Sequence, residues 1–456
     1  MRPSSSTSET LLGELFADPA VDAAVGDAAL VGACLEVEAA LALATADVGL
    51  VPSEAAAAIV SAARGLDVDI GELGHDAVAS GNPVPPLVTR LGAAVPETAR
   101  PWVHLGATSQ DVLDTALVLT HRAAAALIAD RVDTAADHAA ELATGHRDTV
   151  MIARSLGQHA APTTFGLRAA GWLAALRGSA TPLRAAADRL PVQLGGAVGT
   201  LAGYDGHGFA VRRALADRLG LPGGDRPLAW HTDRTPWLDL ASALGVVAAA
   251  VGKVALDVRL LTATEVGEVR VGAPGSGGSS AMPHKRNPVE AILATAGVVR
   301  VPGLVATLYA ASVHAHERAD GDWHAEWPAL RELVSVVGGV AARGAELLNG
   351  LTVDPARMQH NLELTGGAVM AESVAARLAG AMGRDQAHEL VATLVRRSAD
   401  QGTPLRETLL AEPAVTEQLD ADALDAALDP RSRLGIAGAA VDEAVRRYGH
   451  RAGAGT

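Results

Sequence analysis

Several kinds of residue and segment are scarce in this sequence of 456 residues, and each scarcity excludes a class of protein. Its single cysteine, Cys34, excludes an intrachain disulfide framework, and its place on the apolar face of a helix predicts a buried, inert thiol. The first residues lack the apolar core of a secretory signal. No uncharged apolar run reaches the roughly 18 residues typical of a membrane span. We therefore expect a cytoplasmic protein with no membrane partner.

Positive charge and aromatic rings are also in short supply. The formal net charge is −15, and the chain has only three Phe and three Tyr. Nucleic-acid binding needs a basic face and rings on which bases stack, so we expect no nucleic-acid partner. The composition still allows an anionic small-molecule substrate, provided that lysine or arginine side chains line its binding site.

The apolar residues that are present follow a helical period. One apolar face recurs at spacings of three and four, at Leu30, Cys34, Val37, Leu41, Ala44 and Val48. The same period predicts long helices at residues 111–145, 163–189, 236–267 and 288–314. Alternating, β-branched stretches are rare. The sequence therefore predicts an all-α protein in which alanine-rich helices pack closely in a bundle.

Turn and helix-start signals divide the chain into three predicted domains. These are an N-terminal helical domain at 1–105, a central long-helix domain at 106–350 with a glycine-rich loop at 272–288, and a C-terminal helical domain at 351–456. The last boundary depends on the turn signal at Asn349 and the helix start at Asp354 and Pro355.

The loop at 278–288, with the sequence GSSAMPHKRNP, is the most informative segment. A hydroxyl on a loop that closes over substrate can move a proton to or from carbon, while Lys285 and Asn287 hold a carboxylate as negative charge builds up. The alternative interpretation is a flexible linker followed by an ordinary helix start, with Asn287 as N-cap, Pro288 at N1 and Glu290 at N3.

The string at 278–288 resembles the signature loop of the fumarase/aspartase superfamily, in the form found in adenylosuccinate lyases and bacterial 3-carboxy-cis,cis-muconate cycloisomerases. Residues 35–41, 106–111 and 154–166 resemble further signature regions of that superfamily, so the resemblance covers most of the chain. It implies that Ser279 is the proton-transferring residue and that Lys285 and Asn287 bind a substrate carboxylate. We add Ser280 and Met282 of the same loop to the binding set.

The resemblance also implies an architecture and an assembly. The expected fold has three helical parts, and the central helices of four subunits form a shared core. Each active site would combine segments of three subunits of this homotetramer. No cofactor is expected.

Four further residues are candidates for substrate binding, each with a structural alternative. Thr108 and Ser109 open a helix, where a carboxylate meets free amides and a favourable dipole, although Thr108 and Asp111 could simply form a capping box. The resemblance places Arg234 near substrate, whereas a lone arginine is usually a solvated or ion-paired residue. Asn82 lies within the stretch at 79–88, which resembles the cycloisomerase pattern, and is a candidate substrate contact.

Three histidines have weaker assignments. His75 resembles part of a first-domain histidine-aspartate pair and is expected outside direct contact with substrate. His104 either lines the Thr108 pocket or is structural. His159 is placed in the binding set, with a hydrogen-bonded structural role as the alternative.

Leu156 is where the sequence departs from the adenylosuccinate lyase and fumarase pattern, which has a histidine that helps to protonate the leaving group. An amine or hydroxide needs such an acid, whereas a carboxylate does not, because its conjugate acid has a pKa of roughly 4. Opening a lactone by elimination expels a carboxylate, so leucine is tolerable in a cycloisomerase.

Two other motifs point to chemistry that we do not expect. The histidines at 314, 316 and 324 fit no zinc spacing, so no metal site is predicted. The glycine-rich stretch at 195–200 lacks the preceding strand and the full spacing of a dinucleotide loop.

Together these features predict a lactonising cycloisomerase that converts 3-carboxy-cis,cis-muconate to 4-carboxymuconolactone in protocatechuate (β-ketoadipate) breakdown. The first alternative is a C–N lyase of the same superfamily, acting on adenylosuccinate or on a specialised-metabolism substrate such as a nitrosuccinate. The second is a non-catalytic helical protein, which the intact set of Ser279, Lys285 and Asn287 disfavours.

Overall fold

The structure is a computed structural model that describes residues 11–272, 277–278 and 281–449. It is 69% helical, which confirms the predicted all-α class. The helices are α1 Pro19–Ala24, α2 Asp27–Asp47, α3 Ser53–Gly65, α4 Ile70–Ser80, α5 Val84–Ala94, α6 Ser109–Gly145, α7 Phe165–Asp188, α8 Gly208–Leu219, α9 Thr235–Leu261, α10 Val289–Ala311, α11 Asp322–Asn349, α12 Pro355–Glu363, α13 Ala371–Met382, α14 Arg384–Gln401, α15 Leu405–Leu410, α16 Pro413–Thr416, α17 Ala421–Leu428 and α18 Ala437–Tyr448.

The four long helices predicted from apolar periodicity are present as α6, α7, α9 and α10. The longest, α6, has 37 residues and extends about 55 Å at the usual helical rise. The prediction for α9 was too long: the helix ends at Leu261, and a turn occupies 262–266. The start of α12 follows the predicted signal, because the Asp354 carboxylate accepts a hydrogen bond from the amide of Arg357 at 3.0 Å.

Short strands, which the sequence did not predict, interrupt the helices at two places. Strands β1 (Val150–Ser155) and β2 (Gln158–Thr164) form an antiparallel hairpin with an irregularity between Ile152 and Arg154. A second antiparallel pair joins β3 (Val269–Arg270) to β4 (Thr352–Val353). Both strand pairs are so short that an alternation of apolar and polar residues does not stand out from the helical period in the sequence.

The chain divides into two compact units, each built from three segments. The first unit comprises Met1–Val132, Gly178–Gly252 and Leu293–Gly344, and within it α2 packs against α3 and α8. The second comprises Asp133–Arg177, Lys253–Ile292 and Ala345–Thr456. Its C-terminal helices α13, α14, α15 and α17 enclose an apolar cluster that includes Leu378, Leu394 and Leu405. The three-domain division stays a prediction.

Three stretches of helix among the described residues are long and apolar enough to cross a membrane by length and composition alone. They are Pro19–Asp47, Ser109–Gly145 and Val289–Ala311. Of the most apolar 18 residues in each stretch, the chain itself buries 56% in the first and 72% in the second. In the third, which is α10, it buries only 28%. Val299 on α10 is 73% exposed. This helix therefore presents an apolar face that the protomer leaves uncovered.

Candidate active site

The turn before α6 carries the predicted carboxylate site in the first unit. His104 and Gly106 both have positive φ, at 59° and 71°. Gly106 is required there, because a Cβ atom would lie 2.7 Å from the Tyr204 ring. The turn leads to Thr108, whose amide donates to the Asp111 carboxylate at 3.0 Å, which is half of a capping box. The Thr108 hydroxyl is engaged differently: it accepts a hydrogen bond from the Arg318 guanidinium at 2.9 Å.

The buried carboxylate of Asp111 holds this turn in place through hydrogen bonds. It is 1% exposed and accepts hydrogen bonds from the amides of Gly195 and Gly196 at 2.8 and 2.9 Å. Nε2 of His231 lies 2.7 Å from the same carboxylate. The backbone of the glycine-rich stretch at 195–200 therefore lies against a buried side chain of α6.

Arg234 has a different environment from the one predicted. Its side chain is 1% exposed and forms ion pairs with Asp114 at 2.8 Å and Glu326 at 2.7 Å. Nε, Nη1 and Nη2 all donate to these two carboxylates, and the guanidinium lies over the Trp230 ring at 4.8 Å. Burial alone would lower the pKa of Arg234, but the two carboxylates raise it above its usual value. This geometry favours the structural alternative, because binding substrate would break buried ion pairs.

The arginine that lies beside Thr108 is Arg318, which sequence reasoning did not select. It is half-buried, forms no ion pair with any carboxylate in the described part of the chain, and lies 6.0 Å from the Trp323 ring. Burial lowers its pKa, although Asp111 and Asp114 oppose that effect. Arg318 lies beside the histidines at 314 and 316, which were weighed from the sequence only as metal ligands.

Two other predicted binding residues lie in the first unit. Ser109 opens α6, and its hydroxyl has no hydrogen-bond partner among the described residues. Asn82 lies in the turn between α4 and α5, where its Oδ1 accepts from the amide of Val84 at 3.1 Å. The adjacent Gly81 carbonyl lies 3.0 Å from Nε2 of His324, which brings this turn to the start of α11.

His75 lies in a surface depression of about 330 Å³ that contains none of the predicted binding residues. Its lining is formed by Gly71, Glu72, His75, Asp76 and Arg90. Asp76 is paired there with Arg90 at 2.6 Å. The expectation that His75 does not contact substrate stays a prediction.

The hairpin of the second unit ends in a two-residue turn formed by Leu156 and Gly157. Both have positive φ, at 51° and 80°, as a type I′ turn requires. The Leu156 side chain is fully exposed on the protomer. A leucine in this backbone region is strained, since asparagine, aspartate and glycine are the residues that favour it.

His159 lies on β2 opposite Arg154, just after this turn. Burial and the neighbouring Arg154 lower the pKa of His159, so the ring is neutral at neutral pH. Arg154 itself forms a two-point ion pair with the fully buried Glu268, at 2.7 and 2.9 Å. The histidine therefore offers a hydrogen bond, and not a positive charge, at this edge of the hairpin.

The signature loop of the second unit is closed at its base. The amide of Asn287 and its side-chain Nδ2 both donate to the Gly277 carbonyl, at 2.8 and 3.2 Å. A Cβ on Gly277 would lie 2.3 Å from the Asn287 carbonyl, so only glycine fits there. Helix α10 begins at Val289, and the Asn287 side chain bonds to Gly277 and not to helix amides. The helix begins one residue after Pro288, the first helical position of the alternative interpretation, and the described contact of the Asn287 side chain closes the loop base.

The remaining loop residues divide into those the structure describes and those it does not. Ser279 and Ser280, the predicted proton-transferring residue and its neighbour, lie outside the described residues. Lys285 is exposed and makes no ion pair or side-chain hydrogen bond to the described part of the chain. Met282 is 42% exposed. The loop therefore presents an unpaired cation beside the two serines in the sequence.

The histidine cluster does not assemble as a metal site in the part of the chain that the structure describes. There, no group of three or more His, Cys, Asp or Glu side chains is placed to hold a metal ion. His314 uses Nδ1 to contact the carbonyl of His231 at 3.2 Å, and His316 has a φ of 50° in an exposed turn.

Comparison with known proteins identifies the family. The sequence pattern described as "Lyase" matches residues 20–303, which is more than half of the chain, and that described as "Adenylosuccinate lyase C-terminus" matches residues 367–444. The chain belongs to the fumarase/aspartase superfamily of lyases. It is therefore an enzyme of that superfamily by descent, and the all-α architecture is the one expected of it.

Two curated relatives in the superfamily are similar over nearly their full lengths. The nitrosuccinate lyase of Streptomyces davaonensis is 46% identical over 447 residues, which are 95% of this chain and 94% of that protein. The 3-carboxy-cis,cis-muconate cycloisomerase of Pseudomonas aeruginosa is 45% identical over 419 residues, or 91% of each chain.

A solved structure of the superfamily matches equally well. The 3-carboxy-cis,cis-muconate lactonizing enzyme from Pseudomonas putida superimposes with a TM-score of 0.90 at 40% identity, covering 96% of this chain and 98% of that one.

Proposed function

We propose that this enzyme is a 3-carboxy-cis,cis-muconate cycloisomerase. Leu156, an apolar residue at the tip of a hairpin, disfavours a reaction that needs a general acid at this position, such as the expulsion of an amine or hydroxide. The similarity to cycloisomerases at 42–45% identity supports the same assignment.

The proposed reaction adds one substrate carboxylate across a double bond to form a lactone. The oxygen of that carboxylate forms a C–O bond, and the electron pair of the double bond moves to the carbon alpha to another carboxylate. Ser279 delivers the proton to that carbon, and in the reverse direction removes it. Lys285 and Asn287 stabilise the enediolate-like charge that develops in between.

The polar turn of the first unit suits the remaining carboxylates. Thr108 and Ser109 bring hydroxyls and a helix N-terminus, and Arg318 brings a guanidinium with no carboxylate partner in the described chain. We include Asn82, His159, Ser280 and Met282 as further contacts. We replace Arg234 by Arg318 in the binding set because the donors of Arg234 are occupied.

A nitrosuccinate lyase is the second candidate, and the 46% identity to such an enzyme favours it. Elimination from a nitrosuccinate would expel nitrite, which is a stable anion and needs no general acid. Leu156 therefore disfavours an amine-expelling lyase of the adenylosuccinate type, but it does not separate a carboxylate from a nitrite leaving group.

We also propose a cytoplasmic homotetramer that shares its active sites between subunits. The uncovered apolar face of α10 needs a partner surface, and Val289, Ile292, Val299 and Tyr309 are all more than a third exposed. A second copy of the same helix would cover that face without a membrane.

A substrate panel tests the proposal. Purified protein is assayed in the ultraviolet with 3-carboxy-cis,cis-muconate, adenylosuccinate and argininosuccinate, and for nitrite release from nitrosuccinate. We expect the diene acid to be turned over with the highest kcat/KM. Nitrite release without diene turnover would establish the second candidate instead, and turnover of a succinate amine alone would overturn the account of Leu156.

A further inference from the structure

Glu38 is a buried carboxylate with an unusual lack of partners. It lies on α2, its side chain is 1% exposed, and its Oε2 has no hydrogen-bond partner. No lysine or arginine pairs with it among the residues that the structure describes. A charge removed from water in this way requires a compensating charge close by.

Among the titratable groups next to Glu38, one can supply the compensating positive charge. Burial and Glu38 together raise the pKa of the Cys34 thiol to about 12, so the thiol keeps its proton. Burial, Asp111 and Glu38 also raise the pKa of the Tyr204 phenol, which stays neutral. The remaining group is His104, whose Nδ1 lies 2.5 Å from Glu38 Oε1.

The protonation of His104 follows from this environment. Burial alone would lower the pKa of His104, but the charge and hydrogen bond of Glu38, together with the charge of Asp111, raise it above its usual value. The His104 ring and the Glu38 carboxylate are in direct hydrogen-bonding contact, so the negative charge lies next to the imidazole.

The pair also fixes the backbone that leads to Thr108. His104 has a φ of 59°, a left-handed conformation that is unfavourable for a non-glycine residue. Its side chain is 20% exposed, so the ring is anchored at Nδ1 without being sealed from solvent. Only three residues separate it from Thr108, whose hydroxyl contacts Arg318.

We propose that Glu38 is a positioning residue for substrate binding, which holds His104 as a cation on the Thr108 turn. The turn then offers a polycarboxylate two cations, His104 and Arg318. This inference rests on the proposed function in assuming an anionic substrate at Thr108, and it adds a pH-dependent element to that site.

The test compares the binding of tricarballylate, a stable tricarboxylate probe, at pH 6 and pH 8 by calorimetry. Glu38→Gln keeps the size and an acceptor oxygen but removes the charge, so His104 should lose its proton by pH 8. We expect the dissociation constant to rise about tenfold at pH 8, which corresponds to one pKa unit of lost interaction, and to rise by a clearly smaller factor at pH 6, where the imidazole takes up its proton more readily. Glu36→Gln, an exposed site two residues away on α2, is the matched control and should change neither value.

Kinetic measurements separate positioning from simple stabilisation. With whichever substrate is turned over, Glu38→Gln should raise KM more than it lowers kcat and move the alkaline limb of kcat/KM to lower pH. Glu38→Asp, which restores the charge on a shorter side chain, should recover part of both effects. If Glu38→Gln does not fold, His104→Gln replaces it in the test. This variant should bind tricarballylate weakly and equally at both pH values.

Three outcomes would overturn the inference: equal weakening by Glu38→Gln at pH 6 and pH 8, no weakening at either, or no tricarballylate binding by the unaltered enzyme. Failure of the proposed function is distinguishable, because binding needs no turnover. A protein that converts none of the panel substrates but shows the pH-dependent binding keeps this inference and loses the proposed activity.

Discussion

Arg318 and Arg234 lie on the same unit, but the structure assigns them opposite roles, and replacing each with glutamine tests that difference. Arg318 donates to the Thr108 hydroxyl and has no carboxylate partner in the described chain. Removing a hydrogen bond to a charged group costs about 1.5–3 kcal/mol. Arg318→Gln should therefore lower kcat/KM by roughly 10- to 150-fold, mainly through KM, at about 1.4 kcal/mol for each factor of ten.

Arg234→Gln should act on folding and not on substrate. It would leave Asp114 and Glu326, which are 0% and 3% exposed, without their shared cation. Breaking a buried pair in this way costs about 3–5 kcal/mol, so we expect a large drop in the thermal midpoint or insoluble protein.

Steady-state kinetics and thermal unfolding of the two variants decide the matter. Arg318→Gln should unfold at the temperature of the unaltered enzyme. The reasoning is refuted if Arg318→Gln keeps kcat/KM within twofold, or if Arg234→Gln keeps its thermal midpoint and loses only substrate affinity.

Three further predictions concern the loop and the core. Ser279→Ala should lower turnover by roughly 10²–10⁴-fold with little change in fold, as is usual for a positioned acid or base, whereas full activity in Ser279→Ala together with loss of activity in Ser280→Ala would identify the other hydroxyl. Gly277→Ala should abolish most activity without lowering the thermal midpoint, because a Cβ there would lie 2.3 Å from the Asn287 carbonyl and open the loop base; a fully active variant would contradict that geometry. His121 is buried against Trp237, and burial lowers its pKa to about 4. Because the unfolded chain takes up this proton first, stability should fall as the pH drops below about 6.5 and should have lost up to about 3 kcal/mol by pH 4. His121→Phe should flatten that decline in acid unfolding measurements, and an unchanged pH dependence would exclude His121 as its source.

The fold was accessible from the sequence because apolar periodicity is a local property of long helices. It predicted α6, α7, α9 and α10, and the signal at Asp354 and Pro355 predicted the start of α12. The hairpin at 150–164 was missed, since strands of six or seven residues with one irregularity leave little alternation to detect.

The candidate site was accessible only in part. Thr108 and the loop at 277–288 were marked by local motifs, but the partners of a charged side chain depend on contacts distant in sequence. Arg234 meets a glutamate 92 positions away, and Arg318 meets Thr108 across 210 positions. Glu38 on an otherwise apolar helix face gave no local sign of its bond to His104, 66 positions away.

The central claim, a proton delivered alpha to a carboxylate as a lactone closes, is tested most directly by conversion of 3-carboxy-cis,cis-muconate in D₂O followed by nuclear magnetic resonance. The account predicts that the diene acid disappears as 4-carboxymuconolactone forms with one deuteron at the carbon alpha to a carboxylate, and that Ser279→Ala nearly abolishes this conversion. An unchanged diene acid, under conditions in which the same enzyme consumes nitrosuccinate or adenylosuccinate, would contradict it.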